Sequence, residues 1–143
     1  MVSKDSLNRP DPNPRVIRPW GWFETLAEGV GYRVKRLLLE PGMRLSLQRH
    51  QHRCEHWVVV GGSGLLSLEC EEFVASHGTT LFIPALALHR ASAGMAGLVI
   101  VEVQRGRYLD EDDIERVADD HGRAPESAGK PEPDQVRSGL SGS

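Results

Sequence analysis

The chain has 143 residues, 39% of them hydrophobic, a formal net charge of -3 and an isoelectric point near 6.1. That length suits one modest core, and the weak negative charge argues against a nucleic-acid-binding surface. No apolar run approaches the roughly 20 residues that span a bilayer, and residues 1–15 carry no hydrophobic signal core, so a cytoplasmic protein without membrane contact is expected.

In chain order, residues 1–15 hold Pro10, Pro12 and Pro14 among polar residues and are expected to form an extended arm. Short strand-like runs then recur over 22–27, 32–39, 44–50, 57–60, 65–69, 72–75, 79–83, 88–92 and 98–104. Turns are expected at Glu28-Gly29, Pro41-Gly42, 61–64, His77-Gly78 and 93–97. Many short strands at this spacing predict an all-β sandwich or barrel. Asp110, Glu111, Asp112 and Asp113 make an acidic opening to Ile114-Val117, because carboxylates suit the positive end of a helix dipole, and predict one short C-terminal helix. Residues 124–143 are polar and poor in large apolar groups, and a disordered tail is expected there. Cys54 and Cys70 are too few for a disulfide framework.

Two blocks carry the chemistry. The first runs from Gly42 through Gln48, His50, His52, Glu55 and His56; the second runs from Gly78 to Pro84 and on to His89. Residues two apart on a strand share a face, so Gln48 and His50 can point at one ion. Glu55 returns after a short loop, and His89 approaches from a neighbouring strand. Two imidazoles, a carboxylate and an amide oxygen form a set without thiolate, which suits zinc, manganese, iron or cobalt. A competing assignment uses His50 and His52 as a pair; His56 faces away from Glu55.

The spacing of Gly42, Gln48, His50, Glu55 and Gly62 resembles the first cupin motif, with Gln in place of the usual first His, and Gly78, Pro84 and His89 resemble the second. The runs Arg18 to Gly21, Tyr32 to Arg36, Leu45 to Gln48, Glu55 to Val60, Glu102 to Gln104, Tyr108-Leu109 and Glu111 to Ile114 are similar to the type II phosphomannose isomerase domain, which usually forms the C-terminal part of a bifunctional mannose-1-phosphate guanylyltransferase. The resemblance covers residues 16–123 and implies a cupin jelly-roll β-barrel, here taken as a stand-alone domain. It implies Gln48, His50, Glu55 and His89 as metal ligands, with zinc the leading candidate, and moves His52 to the pocket wall. A Gln, two His and a Glu also resemble the zinc site of type I phosphomannose isomerases. Leu86 and Ala93 stand where the second motif usually has Gly and Asn, Gln51 interrupts a common triple His, and Arg107 and His121 replace a small residue and a Tyr. Leu86 is expected to alter the turn carrying His89 and to narrow the pocket.

The activity so implied is interconversion of mannose 6-phosphate and fructose 6-phosphate, with Glu102 and His52 as candidate bases. Phosphate calls for fixed cations: Arg44 shares the strand parity of Gln48 and His50, only one of Lys35 and Arg36 can face inward, and Arg123 ends the family-like Gly-Arg pair. Two other classes remain open, a non-catalytic metal or sugar-phosphate-binding cupin and another cupin enzyme such as a metal-dependent dioxygenase. No Gly-rich nucleotide loop is present to carry guanylyltransferase activity. Outward Val58 and Val60 suit a homodimer.

Overall fold

The computed structural model describes residues 14–124. The strands are β1 (Val16–Arg18), β2 (Gly21–Gly29), β3 (Tyr32–Leu39), β4 (Leu47–Arg49), β5 (Arg53–Leu68), β6 (Glu71–Ala75), β7 (Thr80–Ile83), β8 (His89–Gly106) and β9 (Glu115–Ala118). All pairings are antiparallel, and the path β1-β2-β3-β8-β4-β9 is joined to β5, β6 and β7 through the β5/β8 pair. The all-β, curled-sheet architecture expected from the sequence is therefore present. The expected arm and tail fall almost wholly outside the described residues.

Two expected turns are bends inside long strands. β5 and β8 stay paired from Arg53 opposite Gly106 to Leu68 opposite His89, slipping register around Gly62 and Gly64. Gly62 has φ +75°, and a Cβ there would lie 2.0 Å from the Gly97 carbonyl oxygen. Glycine here permits close approach of two backbones at a bulge, so the chain curls without stopping. This bend lets one end of β8 pair with β3 and the other with β4, curling the sheet around an interior.

Burial alternates along β5: Arg53, Glu55, Trp57 and Val59 point inward while Val58 and Val60 face out. Trp57, Leu39, Leu66, Ile83, Leu98 and Ile100 are almost completely buried. Each such side chain contributes about 1.5–3 kcal/mol by leaving water. Lys35, His50, Glu55, His89 and Glu102 are buried alongside this apolar core.

The short C-terminal helix is not present among the described residues, and this corrects the sequence expectation. Asp113 spends its carboxylate on the backbone N–H groups of Gln51 and His52, each at 2.9 Å, instead of capping a helix of its own. Residues 115–118 then add to the edge of β4, with Arg116 opposite Gln48. One helical turn closes a single bond for several fixed residues, whereas strand addition satisfies an exposed sheet edge at once.

Leu86 also differs from expectation. It adopts φ +74°, the left-handed conformation of the glycine it replaces, and its N–H donates to the His50 carbonyl at 2.8 Å. The turn is kept, and the side chain is 57% exposed instead of lining the cavity. Left-handed Leu costs about 1–2 kcal/mol, against about 0.4–1 kcal/mol for the freer unfolded chain of glycine. Leu86→Gly is expected to raise the urea midpoint, equivalent to roughly 0.5–1 kcal/mol.

Candidate metal centre and its cavity

Three buried side chains converge inside the barrel: His50 after β4, Glu55 on β5 and His89 at the start of β8. Their ligand atoms lie within 4.8 Å of one another. His50 Nε2 is 3.2 Å from Glu55 Oε2, and His89 Nε2 is 3.6 Å from Glu55 Oε1.

The hydrogen bonds around the imidazoles fix which nitrogen faces inward. His50 Nδ1 lies 2.6 Å from the Asp113 carbonyl and His89 Nδ1 lies 3.0 Å from the Ala87 carbonyl. A carbonyl only accepts, so each Nδ1 donates and each Nε2 turns its lone pair toward Glu55. His89 Nε2 and Glu55 Oε1 are buried with no hydrogen-bond partner. Ligand atoms about 2.1 Å from a tetrahedral ion lie about 3.4 Å apart, close to the two separations observed. Orphaned lone pairs, spacing and outer hydrogen bonds thus all fit a divalent cation.

The electrostatics agree. Burial works to raise the Glu55 carboxyl, but the His50 and His89 imidazoles when charged, together with the Arg53 guanidinium, outweigh it and hold it well below the usual carboxylate range. Burial pushes the His89 imidazole down, against the pull of Glu55, and so favours its neutral, ligating form.

Gln48 stands directly opposite His89 across β4 and β8, so both side chains share the inward face, and Gln48 lines the cavity. Its Oε1 accepts from Ser46 Oγ at 2.8 Å, which leaves a second lone pair.

The cavity beyond these ligands measures about 260 Å³ and carries Glu102 on its wall. Lys35, Glu102 and Trp57 form one cross-strand row. Trp57 Nε1 donates to Glu102 Oε2 at 2.9 Å and Gln104 Nε2 donates to Oε1 at 2.8 Å. Burial first, and then the negative charge of Glu55, push the Glu102 carboxyl up to about 7. A fixed carboxyl poised there can take and return a proton near neutrality.

The remaining expected residues divide. Lys35 faces the cavity, pairing with Glu111, and Arg123 lines it. Arg36 points outward to Glu24 at 2.7 Å, as the Lys35/Arg36 parity argument required of one of them. Arg44 lies outside, held by both oxygens of Asp120 at 2.6 and 2.8 Å. Its parity argument fails because Leu45 and Ser46 are buried in succession, so the alternation slips before β4 begins. His52 is exposed beside Tyr108 in a separate surface depression and does not reach the metal ligands' cavity.

Sequence reasoning missed Arg53 and Asp113. Arg53 is buried, its Nε donates to Glu55 Oε2 at 2.9 Å, and its Nη2 lies 3.3 Å from His50 Nε2. Its parity with Glu55 on one strand was the available signal. Asp113 sits in the acidic run that composition assigned to a helix start.

Comparison with known proteins agrees with this architecture. A cupin-2 domain protein from Rhodospirillum rubrum superposes with a TM-score of 0.62 at 17% identity, covering 73% of this chain and 80% of that one. The capsular polysaccharide assembling protein CapF from Staphylococcus aureus gives 0.65 at 18% identity over 73% of this chain and 34% of its own. These likenesses establish the fold. By sequence, the chain is 44% identical to the alginate biosynthesis protein AlgA of Pseudomonas aeruginosa over 114 residues, 79% of this chain and 24% of AlgA. It is 40% identical to the mannose-1-phosphate guanylyltransferase of Escherichia coli over 124 residues, 86% of this chain and 26% of that enzyme. The chain thus spans about a quarter of the length of these relatives. The family pattern described as mannose-6-phosphate isomerase C-terminal matches residues 8–119, taking in the buried triad, Gln48 and Glu102 together, and the chain belongs to that family.

Proposed function

We propose that this domain, residues 16–123, is a metal-dependent aldose-ketose isomerase that interconverts mannose 6-phosphate and fructose 6-phosphate. The observation that carries the reading is a buried His50/Glu55/His89 donor cluster that meets one small cavity through His50, with the buried Glu102 carboxyl, fixed by Trp57 and Gln104, on the wall of the same cavity. Gln48 completes the ligand set as an oxygen donor, and zinc fits a mixed nitrogen and oxygen set of four, with manganese, cobalt or iron as alternatives. A bound divalent ion would supply Lewis acidity toward negative charge developing on the substrate's O1 and O2.

The chain's own groups do the rest. Glu102 takes the proton from C2 of the open-chain aldose and returns it to C1, while the hydroxyl proton passes from O2 to O1, so atoms balance without a further reagent. Trp57 and Gln104 hold the Glu102 carboxylate in place, and Lys35 faces it from β3. Trp20, Phe23 and Leu37 give the cavity an apolar wall against which a sugar ring can lie. Its volume is below the roughly 300 Å³ typical of sites for larger ligands, which favours a single sugar phosphate over a nucleotide sugar. The relatives' names place alginate and xanthan biosynthesis among the roles of longer proteins carrying such a domain, and supply of a precursor for polysaccharide biosynthesis in the cytoplasm is the corresponding role here. Val58 and Val60 on the outer face are the proposed contact of a homodimer.

The test is a coupled assay of fructose 6-phosphate formed from mannose 6-phosphate by protein stripped with chelator and reloaded with zinc or cobalt. Turnover that depends on the metal is expected, and Glu102→Gln should lower kcat at least about 100-fold with metal content unchanged. Fully loaded wild-type protein with no turnover above background would leave a binding cupin and end the isomerase reading.

A further inference from the structure

We propose that Arg18 and Arg116, together with Arg123, form a subsite for a phosphomonoester in the cavity, two strands across the sheet from His89. The identity of the sugar rests on the isomerase reading above; the anion site does not. All three guanidinium-bearing residues line the same cavity as His50 and Gln48, although they come from β1, β9 and the segment after β9.

Strand register places them. His89 on β8, Gln48 on β4 and Arg116 on β9 are successive cross-strand partners, so they form one row on the inward face. Two strand spacings separate the Cα atoms of His89 and Arg116 by about 9–10 Å. In an open-chain hexose 6-phosphate, six bonds of about 1.5 Å zigzag over roughly 7 Å from C2 to phosphorus. A substrate with C1 and C2 near the metal ligands therefore delivers its phosphate toward Arg116.

The charges here are under-compensated. Arg116 makes no ion pair among the described residues, and its buried Nε has no hydrogen-bond partner. Arg18 donates only to the neighbouring Ile17 carbonyl, at 3.1 Å, and its guanidinium lies 5.2 Å from the centre of the Phe23 ring. Arg123 is fixed by both carboxylate oxygens of the buried Asp119, at 2.8 and 3.0 Å. Burial first, and then the charge of Arg123, act to lower the Arg116 pKa, with Arg18 adding to the effect and Asp119 and Glu111 opposing it. Like charges gathered where solvent is restricted are stabilised by an anion that accepts from all of them, and guanidinium matches phosphate in bidentate fashion. Of the acids here, Asp119 is held by Arg123, Glu111 pairs with Lys35, and Asp112 accepts the Tyr108 hydroxyl at 2.5 Å.

The experiment compares mannose 6-phosphate, inorganic phosphate and mannose by calorimetry, and KM by the coupled assay, in wild type, Arg116→Gln, Arg18→Gln and Arg44→Gln. Wild type should bind both phosphates, and Arg116→Gln should weaken each roughly 10- to 100-fold, raising KM for mannose 6-phosphate more than it lowers kcat. Arg18→Gln should act in the same direction. Arg44, held outside by Asp120, should leave binding within about twofold. Arg116→Lys, which keeps the charge and loses the fork, should recover part of the affinity and control for misfolding. Phosphate affinity unchanged in Arg116→Gln, or lost instead in Arg44→Gln, would overturn the subsite while leaving the isomerase reading to its own assay. Arg116-dependent phosphate binding without turnover would retain the subsite and remove the isomerase.

Discussion

Metal-free protein carrying Glu55→Ala is expected to lose about 3–5 kcal/mol of stability, because the substitution leaves a buried cation without its partner. Arg53 is only 7% exposed, and its Nη1 already lacks a hydrogen-bond partner. With Glu55 absent, its guanidinium retains only the long contact to His50 Nε2. Small domains have about 5–15 kcal/mol in total, so the loss should be visible as a large fall in the urea midpoint. Glu55→Ala combined with Arg53→Met should recover much of that loss, since removing both charges avoids the uncompensated one. If the single variant lost less than about 1 kcal/mol, well short of the cost of breaking a buried pair, the Glu55–Arg53 pair would not have the role assigned to it.

Asp113→Ala is expected to weaken metal binding about 10- to 100-fold without touching a ligand. The Asp113 side chain holds the backbone N–H groups of Gln51 and His52, while its carbonyl accepts from His50 Nδ1. Truncation frees the loop that orients the His50 ring. It also strands two N–H donors, at about 1–3 kcal/mol for each that stays buried. Asp113→Asn, which keeps one carbonyl oxygen as acceptor, should fall between alanine and wild type. A competition titration with a chromophoric zinc chelator, read beside thermal unfolding of the metal-free protein, separates the two effects. Unchanged zinc affinity in Asp113→Ala would show that the His50 ring is held by other means.

The strands and the convergence of His50, Glu55 and His89 were legible because both depend on local alternation and fixed spacing. Lys35 against Arg36, Glu55 against His56 and Glu102 against Val101 all follow from the period of two, and all lie where β3, β5 and β8 run without interruption. Parity misled where the backbone broke phase. Arg44 precedes two consecutive buried residues, Leu45 and Ser46, so counting back from Gln48 assigned it the wrong side. The bends at Gly62 and Gly97 read as turns because glycine marks both a chain reversal and a bulge, and only pairing across β5 and β8 tells them apart.

The C-terminal segment was misread for a different reason. Its acidic run satisfies a helix-start pattern, yet the partners of Asp113 are N–H groups some sixty residues earlier in the chain, and no local rule reports them. The same limit hid Arg116, whose position beside Gln48 exists only after β9 adds to β4. Leu86 shows the converse. A residue ill-suited to a left-handed turn still adopts it, because the hydrogen bond from its N–H to His50 ties the turn to the site.

The most direct test of the account is the zinc stoichiometry and affinity of purified wild type, His50→Ala and His89→Ala. One tightly held equivalent in wild type, and none retained through dialysis in either variant, is the predicted result. Full stoichiometry with unchanged affinity in both variants would contradict it, because the ion would then be bound elsewhere and the buried His50, Glu55 and His89 cluster would not be the metal centre.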